Sequence, residues 1–149
     1  MAAGAWTVYN KAKKKIGNAT LSLASTVYRM TLHTSASNAA TATLSTYASL
    51  TNEVSEANGY SSSGKALTSE VWTVGASAGQ YKFDTDDAFW SANGGTISNI
   101  KYAVIWISGA SANARHLLCR STLSSSQFSI SSGNRLTITM NASGVLTLA

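Results

Sequence analysis

The chain has 149 residues, of which only 11% are charged and none is proline, while Ser, Thr and Ala number 24, 17 and 23. A globular average has about 25% charged residues and about 5% Pro, so this composition excludes a long charged helix, a proline-rich linker and a chain kept disordered by its own charge. The formal net charge of +5 is segregated: residues 1–52 carry five cations and no acid, all six acids lie between Glu53 and Asp87, and residues 88–149 carry four cations and no acid.

Such blocks can pair between copies or face an acidic partner. Low charge leaves an adhesive surface, suited to a subunit packed among neighbours. The length gives one domain with an adequate core. The longest apolar run, Tyr102 to Ile107, is too short for a transmembrane helix. Met1 to Ile16 has lysines after its apolar residues and does not read as a secretory signal. A single cysteine, Cys119, excludes an internal disulfide and a cysteine-rich zinc site, and it fits a reducing cytoplasm.

In chain order, Trp6, Tyr9, Ala12 and Ile16 recur at helical spacing, predicting an amphipathic helix from Trp6 to Ile16 that Gly17-Asn18 stops. Lys13, Lys14 and Lys15 fall in its last turn, where the helix dipole favours cations, and with Lys11 they form the densest basic patch. Val27 to His33 alternates as a half-buried strand, with Tyr28, Met30 and Leu32 inward and Arg29, Thr31 and His33 outward. Thr34 to Thr43 reads as an exposed loop. Tyr47, Leu50 and Val54 fit a short helix capped by Gly59, with an irregular loop as the alternative. Short strands follow at Lys65–Leu67, Val71–Val74, Gln80–Thr85, Tyr102–Ile107, His116–Ser121, Gln127–Ile130, Leu136–Met140 and Val145–Leu148. Tyr102–Ile107 is apolar on both faces and therefore central. Many short strands separated by turns predict a mainly β, single-domain sandwich of jelly-roll type with a short N-terminal helix. The division is a basic helix or arm over residues 1–17 and a β-sandwich over 18–149.

No residue set reads as catalytic. His33 lies on the outward strand face, and a His116/Cys119 dyad would point its members to opposite faces of a strand. Cys119 reads as a small core residue. Asp84, Asp86 and Asp87 lack the Gly turn and distal Glu of a calcium loop, and read as an Asx-rich turn satisfying backbone N–H groups. Neither a phosphate loop, a G-x-S-x-G elbow nor a dinucleotide fingerprint is present. No cofactor or metal is expected.

The order of motifs is specific where each piece alone is not. Trp6-x-x-Tyr9-Asn10-x-Ala12-Lys13 is followed by Tyr28-Arg29-Met30-x-Leu32-x-Thr34-Ser35-x-Ser37-Asn38-Ala39, then by Tyr47-Ala48-x-Leu50-x-x-Glu53-Val54 and Asn58-Gly59-Tyr60. Phe83-Asp84-x-Asp86-Asp87-x-x-Trp90, Gly94-Gly95-Thr96-Ile97, Tyr102-Ala103-Val104-Ile105 and a C-terminal stretch from Leu136 to Leu146 complete the series. Taken together it resembles a family of small structural proteins encoded among the head genes of tailed bacteriophages, over nearly the whole chain.

The resemblance implies a virion component, and within that class a capsid cement (decoration) protein on the capsid exterior, assembled in the host cytoplasm. Its partners would be the major capsid protein and copies of itself as a dimer or trimer, with no direct nucleic acid and no membrane. The expected contact set is Trp6, Tyr9, Lys11, Lys13, Lys14 and Lys15 of the helix with Thr34, Ser35, Ser37 and Asn38 of the loop. Trp6 could anchor on the protein's own sheet or on a neighbour. The alternatives are a head–tail connector or tail subunit, and a receptor- or carbohydrate-binding β-sandwich. The last needs a planar row of aromatics that Trp72, Trp90 and Trp106 do not form by spacing.

Overall fold

The computed structural model describes residues 4–24, 27–109 and 114–149. In chain order these form β1 (Thr7–Val8), α1 (Asn10–Gly17), β2 (Tyr28–His33), β3 (Lys65–Ala66), β4 (Val71–Val74), β5 (Tyr81–Asp84), β6 (Ala88–Ser91), β7 (Ile97–Ile100), β8 (Tyr102–Ile107), β9 (Leu117–Thr122), β10 (Phe128–Ile130), β11 (Arg135–Ile138) and β12 (Leu146–Leu148). The fold is mainly β and sandwich-like, with one short helix near the N-terminus. Its principal sheet runs β1-β9-β8-β2-β3, a second runs β12-β5-β4, and β10-β7 and β11-β6 form two-stranded sheets. All the pairings are antiparallel.

The apolar run of β8 explains its position. Ala103, Val104, Ile105 and Trp106 are all buried, so both faces of this strand are covered. It pairs with β2 on one side and β9 on the other. Cross-strand partners share a face, so Met30, Ile105 and Cys119 lie in one row. The Tyr28 ring, two residues from Met30, meets Phe83 of β5 at 4.9 Å, which joins this face to the second sheet. Cys119 is a fully buried member of this core, where burial pushes its thiol pKa well above the usual range.

The opposite face carries Arg29, Thr31 and His33 of β2 beside Trp106, Val104 and Tyr102 of β8. It was expected to meet solvent, yet Thr31 and His33 are 0% exposed. The segment 34–63 lies over it, and this corrects the reading of His33 as a surface residue. Tyr47 stacks on Trp106 at 4.5 Å, and His33 Nδ1 lies 3.2 Å from the Thr51 carbonyl.

Three local expectations change for tertiary reasons. The helix begins at Asn10, not Trp6, because Thr7 and Val8 pair with Arg120 and Cys119 of β9. Ser45 to Ala57 contains only a 3₁₀ turn at Tyr47–Ser49, and His33 bridges to Glu53 in an extended arrangement. Asn58 and Gly59, read as a helix cap, instead take φ of 56° and 96° and close a two-residue turn between Ala57 and Tyr60. Positive φ at both central positions is the demand that Asn-Gly meets. Strands β6 and β7 were not expected. Ala88 and Trp90 of β6 are buried while Phe89 and Ser91 face out.

Candidate functional site

Helix α1 is positioned from its N-terminal end. The Tyr9 N–H donates to the Leu118 carbonyl at 3.1 Å, and the Asn10 N–H donates to Ala42 at 3.0 Å. Tyr9 is 1% exposed, and its hydroxyl donates to the Ala39 carbonyl at 2.8 Å. Burial raises its phenol pKa, so the hydroxyl stays a donor. Tyr9 and Ala12 belong to the same buried cluster as the strands. The sequence-expected docking role of Tyr9 is therefore corrected: it pins the helix to the loop at 34–43 and offers no surface to a partner. The same contacts bring together the two elements expected to act jointly.

The remaining helix residues divide by face. Lys11, Lys13 and Lys14 are exposed, while Lys15 and Ile16 are half-buried. No acid lies in the first turn, and Lys14 and Lys15 sit in the last, matching the dipole. Lys15 Nζ donates to His116 Nε2 at 3.2 Å. Partial burial and the Lys15 charge both lower the His116 pKa, which keeps the ring neutral and able to accept. His116 thus partners the helix, while Cys119 lies in the core. Trp6 is half-buried against the protein's own core, and it lines a small depression with Asn141, Gly144 and Val145.

Beside Lys13 runs an apolar groove of about 360 Å³, lined by Val8, Ile16, Leu23, Trp72, Leu146 and Leu148 among others. Its outer wall belongs to the β12-β5-β4 sheet. Val74, Tyr81 and Leu148 are cross-strand partners there, exposed at 60%, 47% and 60%. Trp72 stacks on Tyr81 at 5.9 Å, so the apolar surface continues from the groove onto the sheet. Sequence reading missed this surface. Its signal was the apolar outward residues of two short strands, and only their register makes them neighbours.

The loop residues are partly spent on internal structure. Asn38 donates from Nδ2 to the Ser49 carbonyl and accepts the Thr51 N–H on Oδ1. Ser37 accepts the Ala39 N–H, and Thr34 accepts the Ala36 N–H. Ser35 donates to Gln127 Oε1 at 2.7 Å and remains exposed. Of the four, Ser35 is the one fully at the surface.

The acidic cluster is dispersed. Asp87 Oδ1 accepts the Met140 N–H, Asp86 accepts the hydroxyls of Thr68 and Ser69, and Asp84 pairs with Lys82 at 2.8 Å. Among the described residues no group of His, Cys, Asp and Glu is arranged to hold a metal ion. A second polar cluster, not expected, lies under the loop. Glu53 accepts the hydroxyls of Tyr47 and Tyr60, and the Tyr60 oxygen accepts the Leu32 N–H at 3.0 Å. Burial raises the pKa of both phenols, foremost among the causes, so both remain donors to the carboxylate. Trp90 and Trp106 are 4% and 1% exposed and cannot contribute to a sugar-binding row.

Comparison of the chain with protein-family models, with curated proteins and with solved structures finds no match.

Proposed function

We propose that the protein is a bacteriophage capsid cement protein that binds the outer capsid surface and stabilises the head. The observation that carries this reading is Lys13 on the wall of the apolar groove, where Leu148 joins it to the exposed row with Tyr81 and Val74, while Lys11 and Lys14 are exposed on the same short helix. Cations beside exposed apolar surface match a protein partner with acidic groups around an apolar ridge. The ordered motifs that resemble phage head proteins supply the identity of that partner, the major capsid protein.

The action would be mechanical. Many copies, each attached at more than one point, bridge neighbouring capsomers and resist the outward pressure of packaged DNA. Multipoint attachment gains avidity without a large area per copy. Copies of the protein would associate along strand β4, which ends its sheet and carries exposed Val71.

The test is addition of the purified protein to particles that lack it. Hundreds of copies per head, and heads that retain DNA on heating only when the protein is present, are the expected results. About six or twelve copies, or failure of any head to assemble without it, would replace this reading with a connector or shell role.

A further inference from the structure

A separate cationic site lies at the other edge of the principal sheet. Strand β3 and strand β1 are its two outermost strands, about 19 Å apart at the usual interstrand spacing. Lys65 of β3 places its Nζ 3.6 Å from the centroid of the Phe89 ring and donates to the Phe89 carbonyl at 3.1 Å. Arg135 of β11 places its guanidinium carbon 4.3 Å from the same centroid. Phe89 is 40% exposed.

Sharing one ring separates this pair from the other described cations. Both charges are held on one ring, so they lie within about 8 Å of each other, close to one Debye length at physiological salt. Among the described residues the one ion pair is Lys82 with Asp84, so neither cation has a carboxylate partner. Arg29 likewise donates to backbone carbonyls, those of Ser63 and Gly64, and Lys15 donates to His116.

The Lys65 side of the site is also shaped, while Arg135 stands outside the groove lining. A groove of about 320 Å³ runs beside Lys65 and Phe89, with Ser61 and Ser91 on its walls. Its floor is fixed by two close backbone approaches. A Cβ at Gly59 would stand 2.1 Å from the Ser91 carbonyl oxygen, and one at Gly64 1.9 Å from that of Met30. Both glycines hold positive φ.

We infer that Lys65, Arg135 and Phe89 form a carboxylate-binding site that takes an acidic side chain of a partner protein. The guanidinium fork matches the two oxygens of a carboxylate, and the ammonium adds a second charge. With cations over its face, the Phe89 ring offers its rim, which is the positively polarised part of an aromatic ring and favours an anionic oxygen. A stacked sugar would need the ring face that the cations occupy, so an acidic side chain is favoured over a uronic acid. The site stands independently of the α1 surface. If both are used, one copy touches acidic partners at two edges of its sheet.

The experiment titrates the intact protein with a capped oligo-glutamate peptide and follows the Arg135 side-chain Nε–H resonance by NMR. The expected result is a saturable shift that weakens about tenfold when NaCl rises from about 50 to about 500 mM. Lys65→Gln and Arg135→Gln are each expected to weaken binding about tenfold, while a Lys11, Lys13, Lys14→Gln variant leaves the Arg135 shift in place. An unmoved Arg135 resonance, unchanged affinity in both single variants, or tighter saturation by polygalacturonate or inorganic phosphate would overturn the assignment. The wild-type resonance decides the matter even if a variant fails to fold.

Discussion

Tyr60 donates its hydroxyl to Glu53 at 2.6 Å while the same oxygen accepts the backbone N–H of Leu32 at 3.0 Å. A single phenol thereby links the 57–60 turn, the extended segment at Glu53 and the C-terminal end of β2. Tyr60→Phe removes both bonds and leaves a half-buried carboxylate with one donor fewer. A loss of about 2 kcal/mol is expected, read as a lower urea midpoint with an unchanged denaturant slope. An unshifted midpoint would show that the cluster does not hold the loop to the sheet.

His33 makes the fold acid-sensitive. Burial lowers its pKa from the usual 6.5, against weaker opposing effects of the Thr51 carbonyl and the Glu53 charge. Below about pH 6.5 the unfolded chain binds a proton that the folded chain resists, so stability is full above that value and declines as pH falls, levelling off once the lowered folded value is passed. His116 shifts in the same direction. Melting temperatures from pH 8 to 4 are expected to fall in this sense for the wild type and less steeply for His33→Gln. Parallel curves would remove His33 as the cause.

Gly64 holds φ of 63° with its α-carbon against the Met30 backbone, whereas a Cβ at Gly17 would meet nothing within 4 Å. Gly64→Ala is expected to cost about 3 kcal/mol or more through strain and displacement. Gly17→Ala is expected to be neutral or stabilising by about 0.5 kcal/mol. Paired thermal melts check both, and equal effects would mean that the Gly64 approach is not rigid.

Leu148, on the groove wall with Lys13, and Val74 in its row stand exposed. Leu148→Asp is expected to change stability by less than about 0.5 kcal/mol while sharply reducing occupancy on capsids. A Lys11, Lys13, Lys14→Glu variant is expected to remain folded and to leave particles at moderate salt. Quantitative gels of purified particles report both, and full occupancy by either variant would remove this surface from the docking role.

Some elements were legible because local chemistry and tertiary position agree. Val71–Val74 and Tyr102–Ile107 are β-branched and aromatic runs, and each forms the strand expected over the same residues. The apolar character of both faces of Tyr102–Ile107 placed it centrally, where it pairs on both sides. Strand β6 was hidden because Ala88 to Ser91 has no β-branched residue and follows an acidic turn. The span Tyr47, Leu50 and Val54 kept a helical spacing, yet those side chains pack from a 3₁₀ turn and extended backbone.

The candidate sites divide the same way. Segregation of charge along the chain marked the lysines of α1, because exposure follows from having several cations in one short helix. It could not reveal that Tyr9 is interior, since an aromatic at helical spacing points either to a partner or to the protein's own core. Sequence by itself determined a mainly β chain with a central apolar strand, an N-terminal basic helix and a single core cysteine, all set by side-chain periodicity and by charge. Tertiary structure alone decided that a second layer buries His33, that Val74, Tyr81 and Leu148 become one exposed row, and that Lys65 and Arg135 share one phenylalanine. Each depends on strand register or on a loop folding back, and these bring together residues far apart in the chain.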